Sequence, residues 1–300
     1  MIRYTLFLIL TVTCLGFASD AAYAQWPAKR TTDTTSLHPD STTRAILSHS
    51  SAGHIIWHDI KESVYDGGRY VTRPLHWNAK EWAIVGTVTG VALVMQYADD
   101  PLVRNFFQSH QGKVGNAVEQ FGNNFYGNGY ATGLTAITLY TVGISEDNNK
   151  LRVMGRHVFQ SFVYAGITAT VIKTLFGRDR PFNNSGPNIF HGFSLNNAWN
   201  SLPSGHVTVA SALTETLAAD IGNTYASIGL YTALGLTVFG RLYSDEHWLS
   251  DTFVGALIGT AAGYWVSQEE DHYDMKTNEP KPTSFLIEPT LGGLSLTYKF

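Results

Sequence analysis

Six stretches of the chain contain almost no charged residues and are rich in apolar and small side chains. One of them, 206–219, is interrupted only by Glu215. Their length and their frequent Gly, Ala, Ser and Thr are typical of closely packed helices. The pattern predicts an all-α fold, a six-helix bundle. The predicted helices cover 82–98, 120–145, 158–172, 206–219, 221–240 and 252–268.

The end of the chain has a different pattern. Over 294–300, apolar residues alternate with Ser, Thr and Lys, and two glycines, Gly292 and Gly293, precede this segment. Alternation with a period of two is typical of a strand, and adjacent glycines allow the positive φ angles of a tight turn. The pattern therefore predicts a short C-terminal β-hairpin.

The N-terminus has the three parts of a secretory signal. Arg3 supplies a positive charge, 6–17 is an apolar stretch too short for a comfortable membrane span, and 22–24 (Ala-Tyr-Ala) forms a small-residue cleavage site. Cleavage would remove Cys14, the only cysteine, and with it any disulfide, thiolate ligand or cysteine nucleophile. We expect an exported protein of the periplasm or cell envelope, with an uncleaved anchor as the alternative.

These patterns divide the chain into four parts. Residues 1–24 form the signal peptide, and 25–77 form a flexible lead-in with short N-terminal elements. Within it, 25–45 is rich in Ser, Thr, Asp and Pro, and 46–77 shows no clear period. Residues 78–270 form the catalytic helical bundle, and 271–300 form the tail with the hairpin.

Charge and composition narrow the classes of function. The net charge of -4 provides no general attraction to nucleic acid, so no nucleic-acid partner is expected. A mean hydropathy of -0.05 is not that of a plainly lipid-embedded bundle. Any anion-binding site must therefore be a local cluster of basic side chains.

Three short segments carry the candidate chemistry. KTLFGRDRP begins at Lys173, SLPSGH begins at Ser201, and GRLYSDEHWLSD begins at Gly240. Each alone is explained by ordinary helix capping or by a surface ion pair. Successive helices of an up-and-down bundle reverse direction, however, so all three segments fall at the same end. The topology therefore predicts that they meet.

The basic and small residues of these segments suit a phosphate. Three cations can neutralise its non-bridging oxygens, and the planar fork of arginine matches its geometry. A helix N-terminus directs backbone N–H groups at an anion, and glycine allows close approach. The predicted phosphate-binding residues are Lys173, Arg180, Ser204, Gly205 and Arg241.

The remaining polar residues complete a reaction. His247 can attack phosphorus and form a phosphohistidine, and Asp251, one turn along, can hold the other imidazole nitrogen. His206 is then free to protonate the leaving oxygen. No carboxylate cluster suggests a divalent ion, so we expect no metal and no cofactor, with the cations in the place of the metal.

Together the segments resemble the signature of the type 2 phosphatidic acid phosphatases, a superfamily shared with class A acid phosphatases and vanadate haloperoxidases. The pattern Lys-x6-Arg-Pro, Pro-Ser-Gly-His and Arg-x5-His-x3-Asp matches Lys173–Pro181, Pro203–His206 and Arg241–Asp251. The resemblance covers roughly 80–270 and implies the roles given above. One departure is Gly240, where the pattern often has a serine whose hydroxyl could contact phosphate.

Four neighbouring residues receive ordinary interpretations. Arg178 lies outside the pattern and is expected to be a charge on the rim of the pocket. Asp245 and Glu246 are expected in a solvated loop, and His191 in a loop role.

The resemblance implies hydrolysis of a phosphate monoester or a lipid phosphate. The alternatives are a vanadate-dependent haloperoxidase, a phosphotransferase to a lipid or sugar acceptor, and a non-catalytic anion-binding bundle. The apolar runs are short for membrane spans, and export of the N-terminus would turn the site of a six-span protein toward the cytoplasm. We therefore expect a soluble or peripheral bundle, with an integral membrane enzyme as the alternative. The sequence does not indicate an oligomeric state.

Overall fold

The computed structural model of the protein describes residues 51–269, 284–290 and 293–299. The predicted signal segment with Cys14, about half of the lead-in (25–50) and much of the tail lie outside the described residues. The helices are α1 (Ala52–Thr72), α2 (Ala79–Val94), α3 (Asp100–Ser109), α4 (Lys113–Phe121), α5 (Gly129–Ser145), α6 (Asn149–Phe176), α7 (Gly205–Ile221), α8 (Thr224–Tyr243) and α9 (Leu249–Gln268).

The predicted all-α class is confirmed, and each of the six predicted stretches contains a helix. The stretch 120–145 is divided, because a π-helical turn over Gly122–Tyr126 is followed by a break at Gly127. A Cβ at Gly127 would lie 2.6 Å from Cγ2 of Thr237 and 2.7 Å from the carbonyl oxygen of Gly122, so a larger residue does not fit. Asn128 then caps α5 by accepting a hydrogen bond from the N–H of Tyr130.

Helix α1 lies in the segment that the sequence assigned to short elements. Instead, 52–72 is one helix, capped by Ser51, whose hydroxyl accepts from the N–H of His54. Its buried face contains one apolar and four polar residues, so it produces no hydrophobic period in the sequence. The buried residues are Ile55, His58, Asp59, Glu62 and Asp66.

Helices α7 and α9 run parallel and in very close contact. A Cβ at Gly255 would lie 2.7 Å from the carbonyl oxygen of Ser204, and a Cβ at Gly259 would lie 2.2 Å from that of Thr208. Gly263, four residues further, meets α7 in the same way. Small residues at intervals of four therefore hold the N-termini of these two helices side by side.

Many large apolar side chains face outward. Helix α2 has no buried residue, and exposed apolar residues also occur on α5, α6 and α8. Among the described residues, α6 is the one helix long and apolar enough to cross a membrane, although the core helix of a soluble protein can have the same length and composition. Examples of the exposed residues are Trp82, Val94, Tyr130, Leu134, Ile137, Phe159, Ile167, Val171 and Ile228.

At the end of the chain, β1 (Ser284–Thr290) pairs antiparallel with β2 (Gly293–Lys299). Thr290 is paired with Gly293, and Ser284 with Lys299. The two strands are therefore paired over their whole length.

Candidate active site

The three segments that carry the candidate chemistry lie where the ends of α6, α7, α8 and α9 meet. The N–H of Ser204, which precedes α7, donates to the carbonyl oxygen of Asp251 in α9 at 3.0 Å. The ammonium group of Lys173 in α6 donates to the carbonyl oxygen of Asn200 at 2.6 Å. The structure therefore brings these residues of distant segments to one end of the bundle.

His247 lies just before α9 and is almost fully buried. Its Nδ1 is 2.8 Å from the carbonyl oxygen of Ser201, and a carbonyl can only accept, so Nδ1 carries the proton and Nε2 has a free lone pair. Burial lowers the pKa of His247 well below its ordinary value, and the nearby Arg241 and Lys173 lower it further. The ring is therefore neutral and nucleophilic at neutral pH.

The sequence predicts that Asp251 holds the second nitrogen of His247. In the structure, Oδ2 of Asp251 is 3.8 Å from Nδ1, which is too long for a hydrogen bond. That oxygen instead accepts from the hydroxyl of Ser201 at 2.5 Å and from the N–H of Trp248 at 2.9 Å. Asp251 thus positions the loop that orients His247, and its charge lies close to the ring.

Arg178, expected on the rim, is fully buried. Its guanidinium donates to Asp251 at 2.5 Å and to Asp100 at 2.8 Å, and its Nε donates to the carbonyl oxygen of Pro187 at 2.9 Å. Although burial raises the pKa of Asp251, Arg178 and His247 hold it well below the usual range. The rim interpretation was wrong because a loop after α6 turns this side chain inward, onto two carboxylates.

Three cations lie together without enough negative charge to balance them. Burial lowers the pKa of Lys173 to about 7, and Arg180 and Arg241 lower it as well, against the opposite effect of Asp251. Burial likewise lowers the pKa of Arg241 to about 10. Such a cluster costs free energy in the protein alone and binds an anion strongly.

Two buried polar atoms of this cluster have no hydrogen-bond partner among the described residues. They are the hydroxyl oxygen of Ser204 and the Nε of Arg241. Buried polar atoms are normally paired, so both are suited to contact a bound group. Gly205 follows Ser204 and packs on the side chain of Lys173, since a Cβ there would lie 3.7 Å from Cε of Lys173.

His206 lines a cavity of about 270 Å³ together with Lys173 and Gly205. Burial lowers its pKa to about 4, and Arg241, Arg180 and Lys173 lower it further. An anion bound among these cations would offset their effect and favour protonation of His206.

The two acidic residues before His247 also differ from expectation. Asp245 accepts two hydrogen bonds of 2.7 Å from Arg104. One carboxylate oxygen of Glu246 contacts Nη1 of Arg180 and lies 3.4 Å from Nη2 of Arg241. The solvated-loop interpretation was therefore incomplete, since Glu246 reaches into the cationic cluster.

His191 keeps a loop role in the structure. Its ring stacks on Trp199 with 4.0 Å between ring centroids, and its Nε2 lies 3.6 Å from Asp179. In the part of the chain that the structure describes, no group of three or more His, Cys, Asp or Glu side chains could hold a metal ion.

The sequence gives no sign of Asp100, of the carbonyl group of Ser201 or of the buried position of Arg178. Asp100 lies 78 residues before Arg178, and no sequence pattern joins them. A main-chain carbonyl leaves no signal in a sequence at all.

The chain is similar to several known proteins. The family model of the PAP2 superfamily matches residues 156–271. The lipid A 1-phosphatase of Rhizobium johnstonii is 28% identical over 208 residues, 65% of this chain and 79% of that protein. The lipid A 1-phosphatase of Rhizobium etli is 27% identical over 200 residues, 62% of this chain and 82% of that protein.

Two further likenesses are shorter or more distant. The lipid A 1-phosphatase of Porphyromonas gingivalis is 35% identical over 75 residues, and this chain spans 17% of that protein. The crystal structure of LpxE from Aquifex aeolicus is similar with a TM-score of 0.36 and 20% identity, over 60% of this chain and 94% of that one. The match to the PAP2 superfamily model covers α7, α8, α9 and most of α6, whose ends form the site.

Proposed function

We propose that the protein is a lipid phosphatase of the PAP2 type, which hydrolyses a phosphate monoester through a phosphohistidine on His247. One observation carries the proposal. The neutral ring of His247, oriented through Nδ1 by the carbonyl of Ser201, lies beside a buried cluster of cations. A free Nε2 lone pair next to a phosphate-binding cluster is what in-line attack on phosphorus requires.

The first step transfers the phosphoryl group to the enzyme. Nε2 of His247 forms a bond to phosphorus as the bond from phosphorus to the leaving oxygen breaks. His206, protonated once the phosphate offsets the neighbouring cations, gives its proton to that oxygen. Lys173, Arg180 and Arg241 neutralise the oxygens of the transferred group.

The second step releases phosphate. Neutral His206 now accepts a proton from water, whose oxygen attacks phosphorus as the bond to Nε2 breaks. Asp251 lies near the imidazole, which carries positive charge in the intermediate, and its negative charge stabilises that state. Both histidines then return to their initial forms.

A phosphorylated lipid is the substrate class that we propose, and lipid A 1-phosphate is its first candidate because the relatives are lipid A 1-phosphatases. An apolar groove supports this choice. A second cavity, of about 390 Å³, shares Gly166 and Thr170 with the cavity at Lys173. Gly166, Thr170 and Lys173 lie on one face of α6, so the groove leads along that helix to the site.

The outward apolar side chains support association with a membrane. A monomeric soluble protein rarely exposes such a large apolar surface. We propose a membrane-associated enzyme of the cell envelope, whose export depends on 1–24 and whose catalytic part is 78–270.

The variant His247→Ala tests the mechanism. Hydrolysis of lipid and soluble phosphate monoesters by the purified protein should fall by about 10⁴-fold or more, because the nucleophile is removed. His76→Ala, a change of an exposed histidine outside the site, should retain full activity. Vanadate should inhibit the wild type, and chelators should not. An active His247→Ala enzyme would contradict the histidine nucleophile.

The variant Gly166→Leu tests the groove. A Cβ at Gly166 meets no atom within 4 Å, so leucine fits the fold but occupies the groove. We expect kcat/KM for a long-chain lipid phosphate to fall by about tenfold or more, with a much smaller loss for p-nitrophenyl phosphate. Gly229→Leu is the matched control, because Gly229 is equally open but lies on an exposed face of α8. Equal activity of both variants on the long-chain substrate would argue against an acyl chain in the groove.

A further inference from the structure

Glu246 places a carboxylate at the position where two phosphate-binding arginines converge. The same oxygen, Oε2, contacts Nη1 of Arg180 and lies 3.4 Å from Nη2 of Arg241. A phosphate oxygen bound by both arginines would need this position. The carboxylate and a phosphate group cannot occupy it together.

The surroundings of Glu246 allow it to leave. Its side chain is 34% exposed, whereas those of Arg180 and Arg241 are 9% and 7% exposed. Among the described residues, its carboxylate forms ion pairs and hydrogen bonds with the two arginines alone, so its displacement breaks no other polar contact there. Arg180 is held separately, since it donates from Nε and Nη2 to Asn197 at 2.9 Å and 3.0 Å.

We propose that Glu246 is an internal anion that competes with phosphate for Arg180 and Arg241, and so sets the affinity that a ligand must exceed to occupy the site. The proposal rests on the proposed function, since it concerns the same phosphate-binding cluster. When a site is open only part of the time, the observed dissociation constant of a ligand equals its intrinsic dissociation constant divided by the open fraction. The carboxylate also offsets the repulsion among the cations when no phosphate is bound.

This competition separates substrate from product. A lipid phosphate gains additional binding from its apolar part and still displaces the carboxylate. Inorganic phosphate lacks that contribution and competes with Glu246 through its charge alone. Return of the carboxylate therefore favours release of the product after each turnover.

The variant Glu246→Gln tests this inference on the full-length protein. Glutamine keeps the size of the side chain but removes the competing charge. We expect the dissociation constants of inorganic phosphate and vanadate, measured by calorimetry, to fall by about tenfold. The inhibition constant for phosphate during turnover should fall by the same factor.

Asp245→Asn is the matched control. It removes the same charge one residue earlier, but Asp245 is paired with Arg104 and makes no contact with Arg180 or Arg241. Phosphate affinity of this variant should equal that of the wild type. A change of charge in the loop would affect both variants alike, whereas competition affects only Glu246→Gln.

Two results would overturn the inference while leaving the proposed function intact. Weaker phosphate binding in Glu246→Gln would show that the carboxylate holds the arginines in place. Binding equal to that of Asp245→Asn would show that the contact does not compete. A wild type that neither binds phosphate or vanadate nor hydrolyses any phosphate monoester would instead overturn the proposed function, and this inference with it.

Discussion

Helix α6 buries charge at both ends, but the two ends do so differently. Near its N-terminus, Arg152 and Arg156 donate to one carboxylate, that of Asp59 in α1, and Tyr140 donates to the same group at 2.7 Å. Burial raises the pKa of Asp59, but His58 and these arginines outweigh it and hold the pKa well below the usual range. The buried face of α1 also carries Glu62 and Asp66, so the two arginines are accompanied by three acidic side chains.

At the C-terminal end, the positive groups exceed their partners. Arg178 is paired with two carboxylates, but Arg180 and Arg241 share the carboxylate of Glu246, and Lys173 donates to a main-chain oxygen. A balanced cluster holds two helices together and has no affinity left for a ligand. An unbalanced one weakens the protein and binds an anion, which is how a binding site differs from a structural ion pair.

Breaking the paired charges at either end of α6 should have the largest effect on the free energy of unfolding. Arg178→Met and Arg152→Met each leave a buried carboxylate without its main partner, which should lower the free energy of unfolding by about 3–5 kcal/mol. Chemical denaturation measures this loss. Arg178→Met should also lose most phosphatase activity in its folded fraction, because Asp251 is no longer held.

Arg152→Met separates the two ends. Its folded fraction, isolated at low temperature, should retain the activity of the wild type, since Arg152 lies far along α6 from the site. Comparable loss of activity per folded molecule in both variants would mean that the ends of α6 are coupled.

A smaller effect concerns the pH dependence of stability, which should have opposite signs at the two ends. The pKa of Lys173 is lowered from 10.5 to about 7. The unfolded chain therefore binds more protons between these values, and Lys173 makes stability rise with pH over that range. Burial and then Glu269 raise the pKa of Asp66 from 3.8 to about 7. Asp66 contributes stability fully below pH 3.8, and this contribution is lost as pH rises toward 7.

Urea titrations from pH 4 to pH 10 measure how the free energy of unfolding depends on pH. Lys173→Met should remove the rise of this free energy with pH above 7, and Asp66→Asn should remove its fall below pH 7. Lys173→Met should also lower activity by about 10²–10³-fold, as expected for the loss of a group that stabilises charge. Asp66→Asn should leave activity unchanged. Slopes that persist in both variants would assign the pH dependence to other groups.

The sequence was sufficient for the parts of the fold that rest on apolar patterns. The apolar runs predicted helices α5 to α9, and the reversal of direction predicted that Lys173, Ser204 and His247 lie at one end. It was insufficient for α1, because the buried face of that helix is mostly polar and pairs with residues such as Arg152. A hydrophobic pattern in a sequence predicts only those helices whose buried face is apolar.

For the site, the sequence predicted which residues converge, but not how they are connected. Arg178 and Asp100 are distant in the chain and meet through the tertiary fold. His247 is hydrogen-bonded to the main-chain carbonyl of Ser201. The expected partner, Asp251, accepts a hydrogen bond from the hydroxyl of Ser201 instead. Spacing identifies residue types, whereas the contact geometry depends on loops that spacing does not determine.

The close contact between α7 and α9 limits how the reaction centre can change. Gly255 and Gly259 have no side chains that could repack, and they lie directly against the backbone of α7. The two helices therefore cannot move closer. His206 and His247, at the start of these helices, therefore keep a nearly constant separation. Adaptation to a different substrate is left to α6 and to the loop 177–203, the parts of the site outside this rigid pair.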